Sequence, residues 1–387
     1  MAFITSNVVH TSADGVDLNP GDNLYIAPGV TVAGGSGGSG FSGAVSTGGV
    51  VFAQIEGTLF GNDYGLEIAD GGNNIMIGAA GSVIANTFSA IYCGSGSDII
   101  TNNGVIQGSY FTQTGGIVVH GSGDNTVFNN GSVTGNTAIF LEAGGNAIVN
   151  TGTITGDAFG IVLDTAAATA STIDNSGTIA VNAIAEPNTG AIVDTGVGAL
   201  DVTSQGHIAG DVIFGPGNDR LDSTQGTIDG TVFGGGGNDT LKGGPDSDRL
   251  DGGAGGDKLY GGGGGDSFVY AAVSDSMGRG HDTIFAFDTQ RDLLDLNVHV
   301  TAVRHTVATG ALDNNAHFNA ELAAAIGPAH LGKHQAVLYE PNSGSLAGHV
   351  FLVVNANGTA GYQAGADYVI ELIHAANVAH LAIGDFI

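Results

Sequence analysis

Tryptophan is absent from the 387 residues, cysteine occurs once, and lysine and arginine together number 8. Each scarcity excludes something. A lone Cys93 forms no intrachain disulfide and no thiolate cluster, so its expected place is a small buried apolar slot. All of the basic residues lie at or after Arg220, against 37 Asp and Glu over the chain. Such a surface repels phosphate backbones and anionic headgroups, so neither nucleic acid nor a membrane is an expected partner. No stretch approaches the roughly 18 uninterrupted apolar residues of a membrane helix. The opening MAFITSNVVHTSADG lacks the basic and apolar regions of a Sec-type signal, which fits a cytosolic protein and equally one exported by an uncleaved C-terminal signal.

What is abundant is glycine, with 69 residues. It follows no collagen-like three-residue period, and 42% hydrophobic residues are too many for a disordered tail. The chain reads instead as folded and rich in turns, and its organisation is repetitive. Glycine, any residue, then a β-branched or apolar residue recurs at Gly57, Gly81, Gly104, Gly131, Gly152, Gly177, Gly206 and Gly226, at intervals of 20 to 29 residues. Between these lie a second short apolar run (SAIYC, TAIFL, GIVLD) and a third that often ends in Asn (DIITNN, NTVFNN, NAIVNT). Three short strands per 20 to 29 residues, with Gly and Asn turns, are the pattern of one coil of a parallel β-helix. Alternate residues then stack inward as an apolar core. Asn103, Asn130 and Asn150 are expected to form amide ladders between coils, a structural role.

From Gly234 four nine-residue units follow in tandem: GGGGNDTLK, GGPDSDRLD, GGAGGDKLY and GGGGGDSFV. This is the Gly-Gly-x-Gly-x-Asp-x-apolar-x pattern of a calcium-binding parallel β-roll. Its glycines, here Gly235, Gly237, Gly244, Gly253, Gly255, Gly262 and Gly264, allow the tight turn and expose carbonyl oxygens. Asp239, Asp248, Asp257 and Asp266 supply anionic oxygens, and Leu241, Leu250, Leu259 and Phe268 plug the core. Each unit makes half a coil, so Asp239 and Asp257 fall on one edge and Asp248 and Asp266 on the other. Bare carboxylates stacked about 4.8 Å apart repel by about 3.5 kcal/mol at an effective dielectric of about 20, a cost that a hard, oxygen-seeking cation reverses. Folding is therefore expected to await extracellular calcium.

The turn GPGNDRLD brings Gly215, Gly217 and Asp219 into the same pattern, with Asp219 placed to stack on Asp239. GSGSDII (94–100) and GSGDNTV (121–127) fit it too, the latter with Asn125 for aspartate. Asp98 lacks an aspartate one coil away, and a plain turn role is favoured for it. In the second repeat Asp246 replaces a glycine and follows Pro245, so an altered turn is expected around Asp248.

On these nonapeptides the chain resembles the RTX (repeats-in-toxin) calcium-binding proteins exported by type I secretion. The segment DSFVYAAVSDSMGRGHDTIFAFDTQRDLLDL (266–296) is similar to the stretch that follows the β-roll in serralysin-type proteases. That resemblance implies that Asp282 closes a calcium row, and that the terminal AHLAIGDFI belongs to an uncleaved export signal read by the type I secretion apparatus. The family's HExxH zinc helix and long pore-forming helices have no counterpart here.

The resulting expectation is an all-β chain: a right-handed parallel β-helix continuing into an RTX β-roll, with a small mixed α/β C-terminal cap. The boundaries are 1–50 for an N-terminal cap, with a flexible loop at GGSGGSGFSG, 51–233 for the helix, 234–270 for the roll and 271–387 for the C-terminal cap. NAHFNAELAAAIG (315–327) and HAANVAHLAIGDF (374–386) read as helical or partly so, and GHVFLVVNANGTAGY (348–362) as two strands around a turn. The expected function is that of a secreted, extracellular or cell-surface structural protein: an adhesin, surface-layer or matrix component. Several calcium ions are its ligands, and the chain itself or a cell-surface polysaccharide its partner. The rival is a polysaccharide lyase or uronan epimerase on the β-helix. That chemistry needs a base, an acid and a cation against the uronate, and the coils offer only His120, His207, Tyr64, Tyr92 and Tyr110, with no Lys or Arg before residue 220, so that the cation could come only as calcium. No catalytic residue and no organic cofactor site is assigned.

Overall fold

The computed structural model describes residues 2–9, 14–19, 21–35, 42, 44–46, 52–110, 115–142, 144–164, 169–182, 189–307 and 310–387. Most of the GGSGGSGFSG loop lies outside them. The chain divides into two compact units, residues 1–215 and 216–387.

The first unit is a parallel β-helix with three strand ladders. One ladder runs through Asn74–Ile77, Ile99–Asn102, Thr126–Asn129, Ala147–Asn150 and Ser171–Asn175, each pairing in parallel with the next. The recurring glycine motifs form the second ladder, through Thr58–Gly61, Ser82–Ala85 and Val105–Gln107. The third joins Leu66–Asp70, Ile91–Ser95 and Gly115–Val119. Further along, the second and third strands merge into Ser132–Glu142 and Thr153–Asp164. The described strands before residue 50 enter the same ladders, as Ala2–Ile4 on Leu24–Ile26 and Thr31–Ala33 on Thr58–Gly61 show.

Strand alternation puts one apolar side chain per coil in register. Ile75, Ile100, Val127, Ile148 and Ile173 stack in the core, none more than 1% exposed. Each buried aliphatic of this size is worth about 1.5–3 kcal/mol of water-to-core transfer. The recurring glycine has a steric reason. A β-carbon at Gly131 would lie 2.1 Å from the carbonyl oxygen of Gly104, and one at Gly152 would lie 2.1 Å from that of Gly131. The coils close on a glycine spine that no larger residue fits.

The asparagine ladder is real but shifted from the expected set. Asn102, Asn129, Asn150 and Asn175 are the buried rungs, each Nδ2 donating to the next Oδ1 at 2.8 Å and ending on Ser204 Oγ at 3.1 Å. Asn103 and Asn130 form a separate exposed row with Thr151. Asn150 groups with the buried rungs because, like Asn102, Asn129 and Asn175, it stands two residues before its glycine at the end of the strand, whereas Asn103 and Asn130 stand one residue before theirs.

In the second unit the coil shortens to two strands. Arg220–Asp222, Thr240–Lys242, Lys258–Tyr260 and Asp282–Phe285 form one ladder, and Thr231–Phe233, Arg249–Asp251, Ser267–Tyr270 and Leu293–Leu296 the other. Leu241, Leu250, Leu259 and Phe268 fill the interior, as their place in the repeat predicts. Tyr368–Ile373 then pairs in parallel with Asp282–Phe285 and antiparallel with Val350–Val354, which covers the ladder's edge. Helix Phe318–Ala325 packs Phe318 and Leu322 against Val337, Phe351 and Val369 in the same apolar cluster.

The expected hairpin within 348–362 is not formed. Gly358 and Gly361 both take positive φ, and the Asn355 carboxamide accepts from the amides of His334 and Gly358, so the segment after Val354 is a long polar turn. The strand that returns is Tyr368–Ile373. Of the last segment, only Val378–His380 and Ile383–Asp385 turn, as 3-10 helix.

Candidate metal centre

The nonapeptide turns bring the repeat aspartates into two columns inside the second unit. In the first, the amide of Asp219 donates to Asp239 Oδ1 at 2.7 Å, that of Asp239 to Asp257 Oδ1 at 2.7 Å, and that of Asp257 to Asp282 Oδ1 at 2.8 Å. Ser276 Oγ accepts from the Asp282 amide and ends the column. In the second, Asp248 donates to Asp266 Oδ1 at 3.0 Å and Asp266 to Asp292 Oδ1 at 3.1 Å. Asp292 Oδ2 then accepts from the amide of Asp288. All seven carboxylates are at most 5% exposed.

One oxygen of each carboxylate below the head of its column therefore serves the ladder. The second oxygens of Asp239 and Asp257 are buried without a hydrogen bond. The first glycine of each repeat explains the space they occupy. A β-carbon at Gly234, Gly243, Gly252 or Gly261 would lie 2.7, 2.5, 2.5 or 2.0 Å from Oδ2 of its own repeat's aspartate.

The other repeat glycines set the turn. Gly235 and Gly237 have φ of +84° and +131°, Gly253 and Gly255 +80° and +156°, and Gly262 and Gly264 +107° and +81°. Gly236–Gly237 and Ala254–Gly255 pair in parallel, so the turns themselves stack. A β-carbon at Gly237 would meet the Gly217 carbonyl, which places Gly217 in the same stack. Gly215 is the last residue of the first unit. The second repeat differs as its sequence predicts. Neither Gly244 nor Asp246 takes positive φ, which a non-glycine residue resists, and the Gly244 amide donates to Asp248 Oδ2 at 2.8 Å.

The electrostatic consequence is large. Burial pushes Asp239 up to about 7 and Asp266 up to about 6, with neighbouring carboxylates Asp257 and Asp292 adding to the shift. Burial likewise raises Asp248 and Asp257. Asp282, fully buried beside the Tyr270 hydroxyl, is driven up by burial and then by the charge of Asp257. An apolar core is thus lined by carboxylates that resist ionisation for lack of a counter-charge.

Among the described residues no three Asp, Glu, His or Cys side chains converge on one point as the ligands of a metal ion. The donor set is single carboxylate oxygens among glycine-turn carbonyls, which suits a hard cation of flexible coordination such as calcium. The orphaned oxygens of Asp239 and Asp257 fit that ion.

Sequence reasoning did not single out Asp292, the end of the second column, or the buried Asp251 and Asp275. Asp251 is pushed up to about 6 by burial and then by Asp275. The signal for Asp292 was there: it follows Asp266 by 26 residues, much as Asp282 follows Asp257 by 25.

In the first unit three of the residues weighed for catalysis, Tyr64, Tyr92 and His120, share one outer stripe, and His207 and Tyr110 are not part of it. The rings of Tyr64 and Phe88, Tyr64 and Tyr92, Tyr92 and His120, and His120 and Phe140 lie 5.3–5.5 Å apart, and His120 Nδ1 is 2.9 Å from Glu142 Oε2. A surface depression elsewhere on this unit is lined by Val149, Asp174, Asn175, Ser176, Thr203 and Gln205, with one carboxylate and no cation.

Residues 233–268 match the family model of the RTX calcium-binding nonapeptide repeat, in 4 copies. No curated protein matches the chain. The nonapeptide segment is a calcium-binding RTX module in a parallel β fold.

Proposed function

We propose that the chain is a secreted structural or adhesive protein, of a surface layer or extracellular matrix, whose second unit is locked by calcium. The observation that carries this reading is the pair of buried aspartate columns, Asp219–Asp239–Asp257–Asp282 and Asp248–Asp266–Asp292, with second oxygens left over at Asp239 and Asp257. Calcium held between Asp219, Asp239, Asp248, Asp257, Asp266 and Asp282 and the carbonyls of the repeat glycines would neutralise this charge. It would also stiffen a glycine-rich backbone whose ordering entropy is high. Extracellular modules of this donor type bind at about 0.1–1 mM, which ties folding to the outside of the cell. Type I export through a C-terminal signal agrees with that dependence.

The acidic coils favour a partner reached through calcium: a second copy of the chain, or an anionic cell-surface polysaccharide. The enzyme reading rests on His120 and Glu142 beside Tyr92, which are well exposed and have no lysine or arginine in their unit to neutralise a uronate.

Calcium titration of chelated protein tests the proposal. Circular dichroism should report a gain of β structure and light scattering a growth of particles, with alginate and pectin unchanged on incubation. A calcium-independent spectrum would overturn the calcium lock, and turnover of either polymer would overturn the structural role.

A further inference from the structure

The first unit contains a column equivalent to those of the repeats, built largely from neutral residues. Asn73 donates its amide to Asp98 Oδ1 at 2.9 Å, Asp98 to Asn125 Oδ1 at 3.0 Å, Asn125 to Asn146 Oδ1 at 3.3 Å, and Asn146 to Ser171 Oγ at 3.1 Å. This is the bonding of Asp219, Asp239 and Asp257, with backbone donor and side-chain acceptor in the same order. The turns match as well. Gly121 and Gly123, before Asn125, have φ of +86° and +148°, close to Gly253 and Gly255 before Asp257. Gly96, two residues before Asp98, has φ of +128° against +131° for Gly237 before Asp239.

The asparagine rungs show what the slot demands. Their Nδ2 groups donate to turn carbonyls, Asn73 to Asp70 at 2.9 Å and Asn125 to Gly123 at 3.3 Å. The slot thus sets the second polar atom of its occupant among carbonyl oxygens. An amide NH2 satisfies them. Asp98 has no such group. Its Oδ1 already takes the amide and the Nδ2 of Asn73, at 2.9 and 2.7 Å. Its Oδ2 is buried with no hydrogen bond of good geometry in a residue 1% exposed, as at Asp239 and Asp257, with the Gly72 amide also directed at this carboxylate.

We infer that Asp98 is a calcium site of the first unit, outside the nonapeptides, in which the ion takes the place the asparagine amides occupy in neighbouring coils. The ligands are Asp98 Oδ2 and carbonyl oxygens of the stacked turns at 70–73 and 94–98, a hard-oxygen set of the repeat type. Cys93 stands where the repeats carry their first glycine, so its β-carbon takes the room that Oδ2 uses in the repeats and Asp98 shares their bonding but not that packing; the buried thiol, held protonated by burial and by the Asp98 charge, is no rival ligand. The inference rests on the reading that the aspartate slot of the repeats holds calcium, and extends it to a coil where three of the five rungs are asparagine.

The test uses the full chain with calcium chloride in metal-free buffer near neutral pH. Bound ions are counted by equilibrium dialysis, and amide exchange is followed by mass spectrometry for wild type, Asp98→Asn and the double variant Asp239→Asn, Asp257→Asn. Asparagine fits this slot in three other coils, so Asp98→Asn should fold. It should bind one ion fewer, keep the calcium response of residues 219–292 and lose that of residues 70–100. The double variant should show the reverse. An unchanged ion count in Asp98→Asn, or exchange across 70–100 that ignores calcium in wild type, overturns the site while the repeats still bind. Wild type that binds no calcium at all overturns the reading beneath it. Should Asp98→Asn misfold, the wild-type exchange over 70–100 decides alone.

Discussion

Asp239→Asn should act in opposite directions with and without calcium. In the calcium-free protein, burial pushes Asp239 up to about 7, against about 3.9 in an unfolded chain. A raised carboxyl pKa means that the folded state holds the proton longer, so stability falls as pH rises from about 4 to about 7, and the loss is complete above that. A shift of about 3 units corresponds to at most about 4 kcal/mol. Asparagine removes it, and its Nδ2 has the Gly237 carbonyl to bond, as Asn125 bonds Gly123. The variant without calcium should therefore exceed wild type by about 2–4 kcal/mol at pH 8 and equal it near pH 4. With about 10 mM calcium and a dissociation constant of about 0.1–1 mM, one ion adds about 1.4–2.7 kcal/mol, and the variant forfeits that share. Urea unfolding in chelator and in calcium, at pH 4 and pH 8, measures all four values. A variant less stable than wild type in chelator at pH 8, or wild-type stability in chelator that ignores pH, refutes the reasoning.

Three other perturbations have definite outcomes. Gly152→Ala sets a methyl 2.1 Å from the Gly131 carbonyl and should cost about 1–3 kcal/mol in urea unfolding, while Gly384→Ala, which meets nothing within 4 Å, stays within about 0.5. Glu371, 8% exposed, is pushed up by burial, but hydrogen bonds and charge from His281 and His349 prevail and lower it to about 2. That depression stabilises the fold above about pH 4 and is lost as pH falls toward 2, so Glu371→Gln should flatten acid unfolding over that window by up to about 3 kcal/mol, read by near-ultraviolet circular dichroism. Calcium removal should speed amide exchange across 219–292 far more than across 147–204, where amides and hydroxyls take the place of carboxylates; equal acceleration would contradict the column model.

The solenoid was legible because each coil repeats its glycine, its apolar run and its asparagine, and the steric need for the glycine is the same at Gly104, Gly131 and Gly152. The repeat aspartates were legible for the same reason. What escaped were positions whose meaning depends on register. Asn102 and Asn103 are adjacent and chemically identical, yet one is a buried rung and the other lies on the surface. Asp292 sits in no nonapeptide and joins its column only because Leu293–Leu296 aligns with Ser267–Tyr270. The return strand Tyr368–Ile373 is separated from its partner by a polar turn longer than a hairpin loop, so neighbouring residues do not announce the pairing.

The aspartate columns have a polarity. Every rung offers its own amide to the carboxylate of the coil downstream, and the first column finishes on Asp282 and the hydroxyl of Ser276. Damage near Asp219 leaves each later rung with its acceptor in place. Damage near Asp282 strips the acceptor from the Asp257 amide above it and leaves the bonds from Asp219 and Asp239 in place, so the same side-chain loss costs the column a bond at Asp239, Asp257 or Asp282 but none at Asp219.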